Sequence, residues 1–284
     1  MIAVNFAPAA TTVGPATALP ANWFPEGMSL GLLALVLLAG FMAGFVDAVV
    51  GGGGLIQLPA LLLIPGLSPV QALATNKLGS IFGTATSAAT YIRRVRPDLR
   101  TALPMAAVAL IGSMLGASVA TYLPKQVFMP IIIVVLLGVA TFTALKPNLG
   151  LEHELRYTGR RHTLTALVLG FGLGAYDGLL GPGTGSFLVI GLVTMLGYDF
   201  LQASAKARLV NFATNLGALM IFIPHGAVIW GLGLALGAAN MLGGYLGARL
   251  AIDRGARFVR LAFLIVSAAL IVKLSWDTFI ARSS

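Results

Sequence analysis

Apolar runs of about 18 to 22 residues, separated by short polar or charged connections, recur along most of the chain. A helix needs roughly 20 such residues to cross a bilayer, so the pattern predicts membrane helices. In the first half they fall near 30–50, 70–92, 102–122 and 126–145, and in the second near 162–180, 200–223, 228–250 and 258–278. The runs lack the period-two alternation of a membrane barrel, which leaves an all-α polytopic protein. Two further apolar pieces, 54–65 and 184–197, are too short to cross. The first lies between the run Gly51, Gly52, Gly53, Gly54 and the breaker pair Pro65-Gly66; the second opens within Gly181, Pro182, Gly183, Thr184, Gly185, Ser186. Both are predicted to be half-helices or re-entrant arms.

The plan of the first half repeats in the second. Gly40, Phe41, Gly44 and Asp47 return as Gly170, Phe171, Gly174 and Asp177; Gly51 and Gly53 return as Gly181 and Gly183. After a slip of one residue, Lys77-Leu78 matches Arg208-Leu209, and Gly112, Leu115, Gly116, Ala117 match Gly243, Leu246, Gly247, Ala248. Equivalent loops nevertheless differ in charge: arginines gather at 93–100 in the first half but at 249–260 in the second. Two halves of like orientation would expose one cluster on the outside, against the positive-inside rule, whereas an inverted repeat removes the conflict. With the N-terminus outside, the stretches 93–100, 146–161 and 249–260 fall inside, and the loop at Pro224-His225 falls outside. The chain then divides into an extracytoplasmic tail (1–28, with Trp23 and Phe24 as interface anchors), a first repeat (29–146), a cytoplasmic linker (147–161), a second repeat (162–278) and an extracytoplasmic C-terminal tail (279–284).

Composition agrees with lipid as the solvent: 58% of residues are hydrophobic and 10% charged, against about 25% charged in soluble domains. The net charge of +9 sits in short connections, where membrane orientation accounts for it and nucleic acid need not be invoked. With no cysteine, thiolate metal sites and disulfides are excluded. The three histidines, His153, His162 and His225, lie in or beside connections, and no hydrolase, nucleotide or metalloprotease signature occurs. Neither an enzyme, nor a metal site, nor a cofactor is expected.

The chemistry concentrates at the glycine breaks. Non-helical backbone at membrane depth is tolerated where protein or a water-filled cavity satisfies it, and a half-helix that starts there aims free N–H groups at the cavity, which suits an anion. Thr184 and Ser186 add hydroxyls. Lys77 and Arg208 lie inside apolar spans at matched repeat positions, where a cation costs about 2.5 to 3.5 kcal/mol on insertion scales. They are expected either to bind an anionic substrate from two sides of one site, or to pair with carboxylates. Asp47 and Asp177 are the matched acids; they could orient the cations, cap the half-helices or accept protons, and structural pairing is ranked above proton coupling. Asn76, Asn211 and Asn215 supply neutral groups near the same level, and Lys206, facing Thr75 across the repeat, has no assigned role.

The strings GFMAGFVDAVVGGGGLIQLPAL, ATNKL, GAYDGLLGPGTGSF and GGYLGARLA resemble those of the TauE/SafE sulfite exporter family, the TSUP transporters, from about residue 30 to 277. The resemblance implies a secondary transporter, an exporter of sulfite or organosulfonates across a bacterial inner membrane. It carries over Asp47, the run 51–54, Asn76 and Lys77, then Asp177, the run 181–186, Arg208 and Asn211. Arg208 departs from the family's lysine, so a forked donor replaces a point charge. An uptake permease or anion channel is the alternative, and a membrane assembly factor, lacking any supporting motif, ranks last.

Overall fold

The computed structural model describes residues 23–25, 28–122 and 155–279. The predicted span 126–145, most of the N-terminal tail and the larger part of the predicted linker lie outside the described residues.

Every regular element among the described residues is helical: α1 (Leu30–Val50), α2 (Gly54–Leu62), α3 (Pro69–Val95), α4 (Leu99–Tyr122), α5 (Gly159–Leu179), α6 (Thr184–Gly191), α7 (Phe200–Phe222) and α8 (Trp230–Phe279). A π-helical turn, Leu192–Leu196, extends α6. The predicted pair 228–250 and 258–278 falls within α8 as two helices that meet at a kink at Gly255, which takes φ 73° and ψ −174°. Helix starts follow local chemistry. The Ser68 hydroxyl accepts from Gln71 N–H while the Gln71 side chain accepts from Ser68 N–H, and Asp199 caps α7 by accepting from Leu201 and Gln202. Helices α1 and α4 are by themselves long and apolar enough to cross a membrane. Helices α3 and α7 carry buried Asn76, Lys77, Lys206, Arg208, Asn211 and Asn215, the polar load of helices that line a site.

The repeats are inverted. Helix α3 runs toward Arg94, which pairs with Asp253 of α8 at 3.0 Å. The repeat-equivalent α7 starts at that same end, where Lys206 Nζ donates to the Asp98 carbonyl at 2.7 Å. His162 of α5 meets Thr101 there, so the stretches 93–100 and 249–260 and the start of α5 share one end of the molecule. At the other end Leu232 N–H donates to the Trp23 carbonyl and Ile229 N–H to the Thr75 hydroxyl.

The halves also exchange a helix. Helix α4, from the first repeat, packs along α5 and α7 of the second, while α8 packs along α1 and α3. Matched glycines make both exchanges possible. A methyl group on Gly112 or Gly116 of α4 would collide with the Phe171 or Ala175 carbonyl of α5; on Gly243 or Gly247 of α8 it would collide with the Phe41 or Phe45 carbonyl of α1. Two bodies result: α1, α2, α3 and α8 in one, α4 to α7 in the other. The repeat unit visible in the sequence and the packing unit in space are therefore different sets of helices.

Candidate functional site

The two helix breaks meet where the bodies touch. Helix α1 stops because Gly51 takes φ 90°, in the left-handed region, and its N–H turns back to the Asp47 carbonyl at 2.9 Å. The chain re-enters helix at Gly54. In the second half Gly181 (φ 88°) and Gly183 (φ 78°) make the corresponding turn before α6. The turns cross in direct backbone contact: a Cβ on Gly185 would lie 2.7 Å from Gly51 Cα, and Ser186 N–H donates to the Gly51 carbonyl at 3.0 Å. Helices α2 and α6 lead away from this crossing, leaving both N-termini at the junction.

Each buried cation takes its partner from the other half. Lys77 Nζ lies 2.6 Å from Asp177 Oδ2, and Arg208 Nη1 lies 2.9 Å from Asp47 Oδ2. The four side chains are the repeat-matched pairs, so the two bridges are related by the pseudo-twofold, and both join one body to the other. Of the roles open to the acids, pairing is present. The pairs differ in saturation: Arg208 Nε and Nη2 are buried without a hydrogen-bond partner among the described residues. Three N–H bonds of that guanidinium are thus uncommitted in a place where an unmet donor costs about 1 to 3 kcal/mol.

A cavity of about 20 Å³ lies at the crossing, room for about one water. Asp47, Gly51, Gly53 and Gly54 line it from the first break, and Asp177, Gly181, Gly183, Thr184 and Gly185 from the second. Lys77, Asn76 and Asn211 complete the expected set, together with Asn215. Four expected residues stand outside its wall. Ser186 spends its hydroxyl on the Val50 carbonyl at 3.0 Å, while Gly52 and Pro182 belong to the turns themselves. Arg208 stands behind Gly185, its Nη1 3.1 Å from where a Cβ would be. Thr184 lines the cavity, but its hydroxyl donates to the Gly181 carbonyl at 2.9 Å, so lone pairs rather than a proton are presented.

Three residues at this level were not anticipated. Asn240 and Ser80 line the cavity, and Gln57 of α2 is clamped by Asn240 Nδ2 (2.6 Å to Oε1) while donating to the Asn76 carbonyl at 3.4 Å. Asn240 also donates to the Gly40 carbonyl, which fixes the half-helix against α1, α3 and α8. A lone amide in each of two otherwise apolar stretches was the available signal. Lys206 acquires a place well away from the cavity: it holds the Asp98 carbonyl and lies 4.5 Å above the Tyr198 ring. Although beside a connection, His162 is buried in the first turn of α5, with Nε2 3.2 Å from Thr101 Oγ1 and 3.0 Å from the Tyr198 hydroxyl.

Known proteins resemble this chain over most of its length. The profile of a family described as sulfite exporter TauE/SafE matches residues 35–274. A probable membrane transporter protein, ORF9, of Sinorhizobium sp is 41% identical over 89% of this chain and 95% of its own length. The probable membrane transporter protein YfcA of Escherichia coli K12 is 36% identical over 87% of this chain and 91% of its own. A probable membrane transporter protein of Haemophilus influenzae is 33% identical, covering 88% and 97%. No solved structure matches.

Proposed function

The chain belongs to the sulfite exporter TauE/SafE family of membrane transporters, and on that premise we propose that it carries a small sulfur-containing anion, sulfite or an organosulfonate, out across a bacterial inner membrane. One observation carries the choice of an anion: a fully buried arginine with two unpartnered nitrogens stands beside two half-helix N-termini and across from a buried lysine. A tetrahedral or pyramidal oxyanion offers several acceptors to such donors, and the guanidinium fork can take two of them.

Entry of the anion requires opening, since about one water fills the present cavity. Oxygen atoms of the substrate replace the Asp47 and Asp177 carboxylates on Arg208 and Lys77. Because both bridges and the Ser186 to Gly51 hydrogen bond join the two bodies, that exchange loosens the clasp between them. Rocking of α1, α2, α3 and α8 against α4 to α7 then changes which face is open.

Charge balance adds a coupling. Two cations and two carboxylates sum to zero, so a bound anion leaves the buried cluster at −1 unless a proton enters with it. Asp47, with 13% of its side chain exposed against 2% for Asp177, is the accessible acceptor. A monovalent anion moving with one proton crosses without net charge, and the combined substrate and proton gradients set the direction. Efflux of radiolabelled sulfite from proteoliposomes is expected to rise severalfold when the lumen is made one pH unit more acidic than the bath, a driving force of about 1.4 kcal/mol. Asp47→Asn leaves the buried Arg208 without its carboxylate and should cost stability, but the exchange of labelled for unlabelled sulfite that it retains is expected to lose that stimulation. Competition by taurine, sulfoacetate, thiosulfate and sulfate identifies the class carried. Exchange that none of these compounds nor sulfite itself competes for would remove the sulfur-anion assignment.

A further inference from the structure

A second polar feature lies on the outer face of one body. Parallel helices α3 and α8 touch where Gly244 packs on the Gly83 backbone. Nearer the arginine-rich end they enclose a groove of about 490 Å³, closed there by the exposed Arg94–Asp253 pair. Its floor is a stripe of α3, Ala85, Thr86, Ala89 and Thr90. The two threonine hydroxyls donate to the Phe82 and Thr86 carbonyls at 2.8 Å, so the floor presents methyl groups. The head of the groove holds Arg93, Arg94 and Arg249. Asp253 neutralises Arg94, and Arg249 Nη1 donates to the Tyr245 hydroxyl at 3.2 Å, leaving two net positive charges among the described residues above an apolar trough.

We propose that this groove binds one anionic phospholipid, its phosphate held by Arg93 and Arg249 and one acyl chain lying along Ala85 and Ala89. Charge selects the occupant: two unneutralised arginines at the end of a membrane helix match a phosphodiester, while a bare methyl-lined floor has nothing to offer a soluble phosphate. From Ala85 of the floor to Arg93 of the head the groove extends about 12 Å along α3, the reach of an acyl chain's upper half. Binding at the α3–α8 seam would brace one of the two bodies without touching the cavity.

The test titrates the full-length purified protein with phosphatidylglycerol or phosphatidylcholine and reads retained lipid by native mass spectrometry. Wild type is expected to retain phosphatidylglycerol preferentially. Arg93→Gln with Arg249→Gln should weaken that retention about thirtyfold, roughly fivefold per arginine. Arg254→Gln with Arg257→Gln removes the same charge from exposed positions at the same end, outside the groove, and should change it less than about twofold. Ala89→Trp fills the floor and should weaken retention with every charge in place. Equal losses in the two double variants, no loss with Ala89→Trp, or displacement of the lipid by excess inorganic phosphate would each overturn the proposal.

Discussion

Arg208→Ala is expected to abolish sulfite exchange and to destabilise the protein by about 3 to 5 kcal/mol, the range for removing one member of a buried ion pair. The loss comes from the partner left behind. Asp47 would be left at the junction of the bodies with its 2.9 Å contact gone. Lys77→Ala should act likewise through Asp177, whose contact at 2.6 Å is the shorter. Two companions separate folding from transport. Asp47→Leu with Arg208→Met removes both charges at similar volume and should recover most of the stability, since apolar residues of like size in place of a buried pair are often neutral, yet it should not transport. Arg208→Lys keeps the charge and should fold, with KM raised because a point charge cannot supply two parallel donors. Thermal unfolding in detergent and counterflow in proteoliposomes measure the two effects. Wild-type KM in both Arg208→Ala and Lys77→Ala would remove these cations from the site.

Gly51→Ala and Gly185→Ala are expected to be nearly as damaging, whereas Gly52→Ala, one residue away, should be silent. At Gly51 the backbone has φ 90°, a conformation that costs a side-chain-bearing residue about 1 to 3 kcal/mol. The added methyl would also strike the Gly185 carbonyl carbon and the Ser186 nitrogen, both backbone atoms with nowhere to go. At Gly185 the collision is with Gly51 Cα and O, each 2.7 Å away. A Cβ on Gly52 meets nothing closer than 3.6 Å, and its effect should stay within about 0.5 kcal/mol. Yield of monodisperse protein and unfolding temperature read the contrast. Equal tolerance at Gly51 and Gly52 would mean that the two breaks do not cross.

Much of this architecture is legible in the residue order because lipid imposes strong rules. Spans predicted at 30–50, 102–122 and 200–223 coincide with α1, α4 and α7 to within three residues at each end, since length and apolarity are what a bilayer selects. The mismatch of arginine clusters between equivalent loops implied inversion, and Arg94 beside Asp253 with His162 beside Thr101 accords with it. The repeat also matched the glycines at 112 and 116 with those at 243 and 247, and in the structure all four are close-packing positions.

What the order of residues determined is a duplicated, inverted membrane protein with a cation, an acid and a glycine break at matched places in each half. Self-similarity and the cost of charge in an apolar run are properties of the chain alone, so they survive without coordinates. The tertiary structure decided the partners. A repeat states which residues are equivalent but not which are neighbours. Only packing could therefore assign Lys77 to Asp177 rather than Asp47, send α4 and α8 into the opposite bodies, and place Arg208 behind Gly185 with two nitrogens unmet. It likewise drew Asn240 and Gln57 together across 183 residues, a contact with no trace in local periodicity.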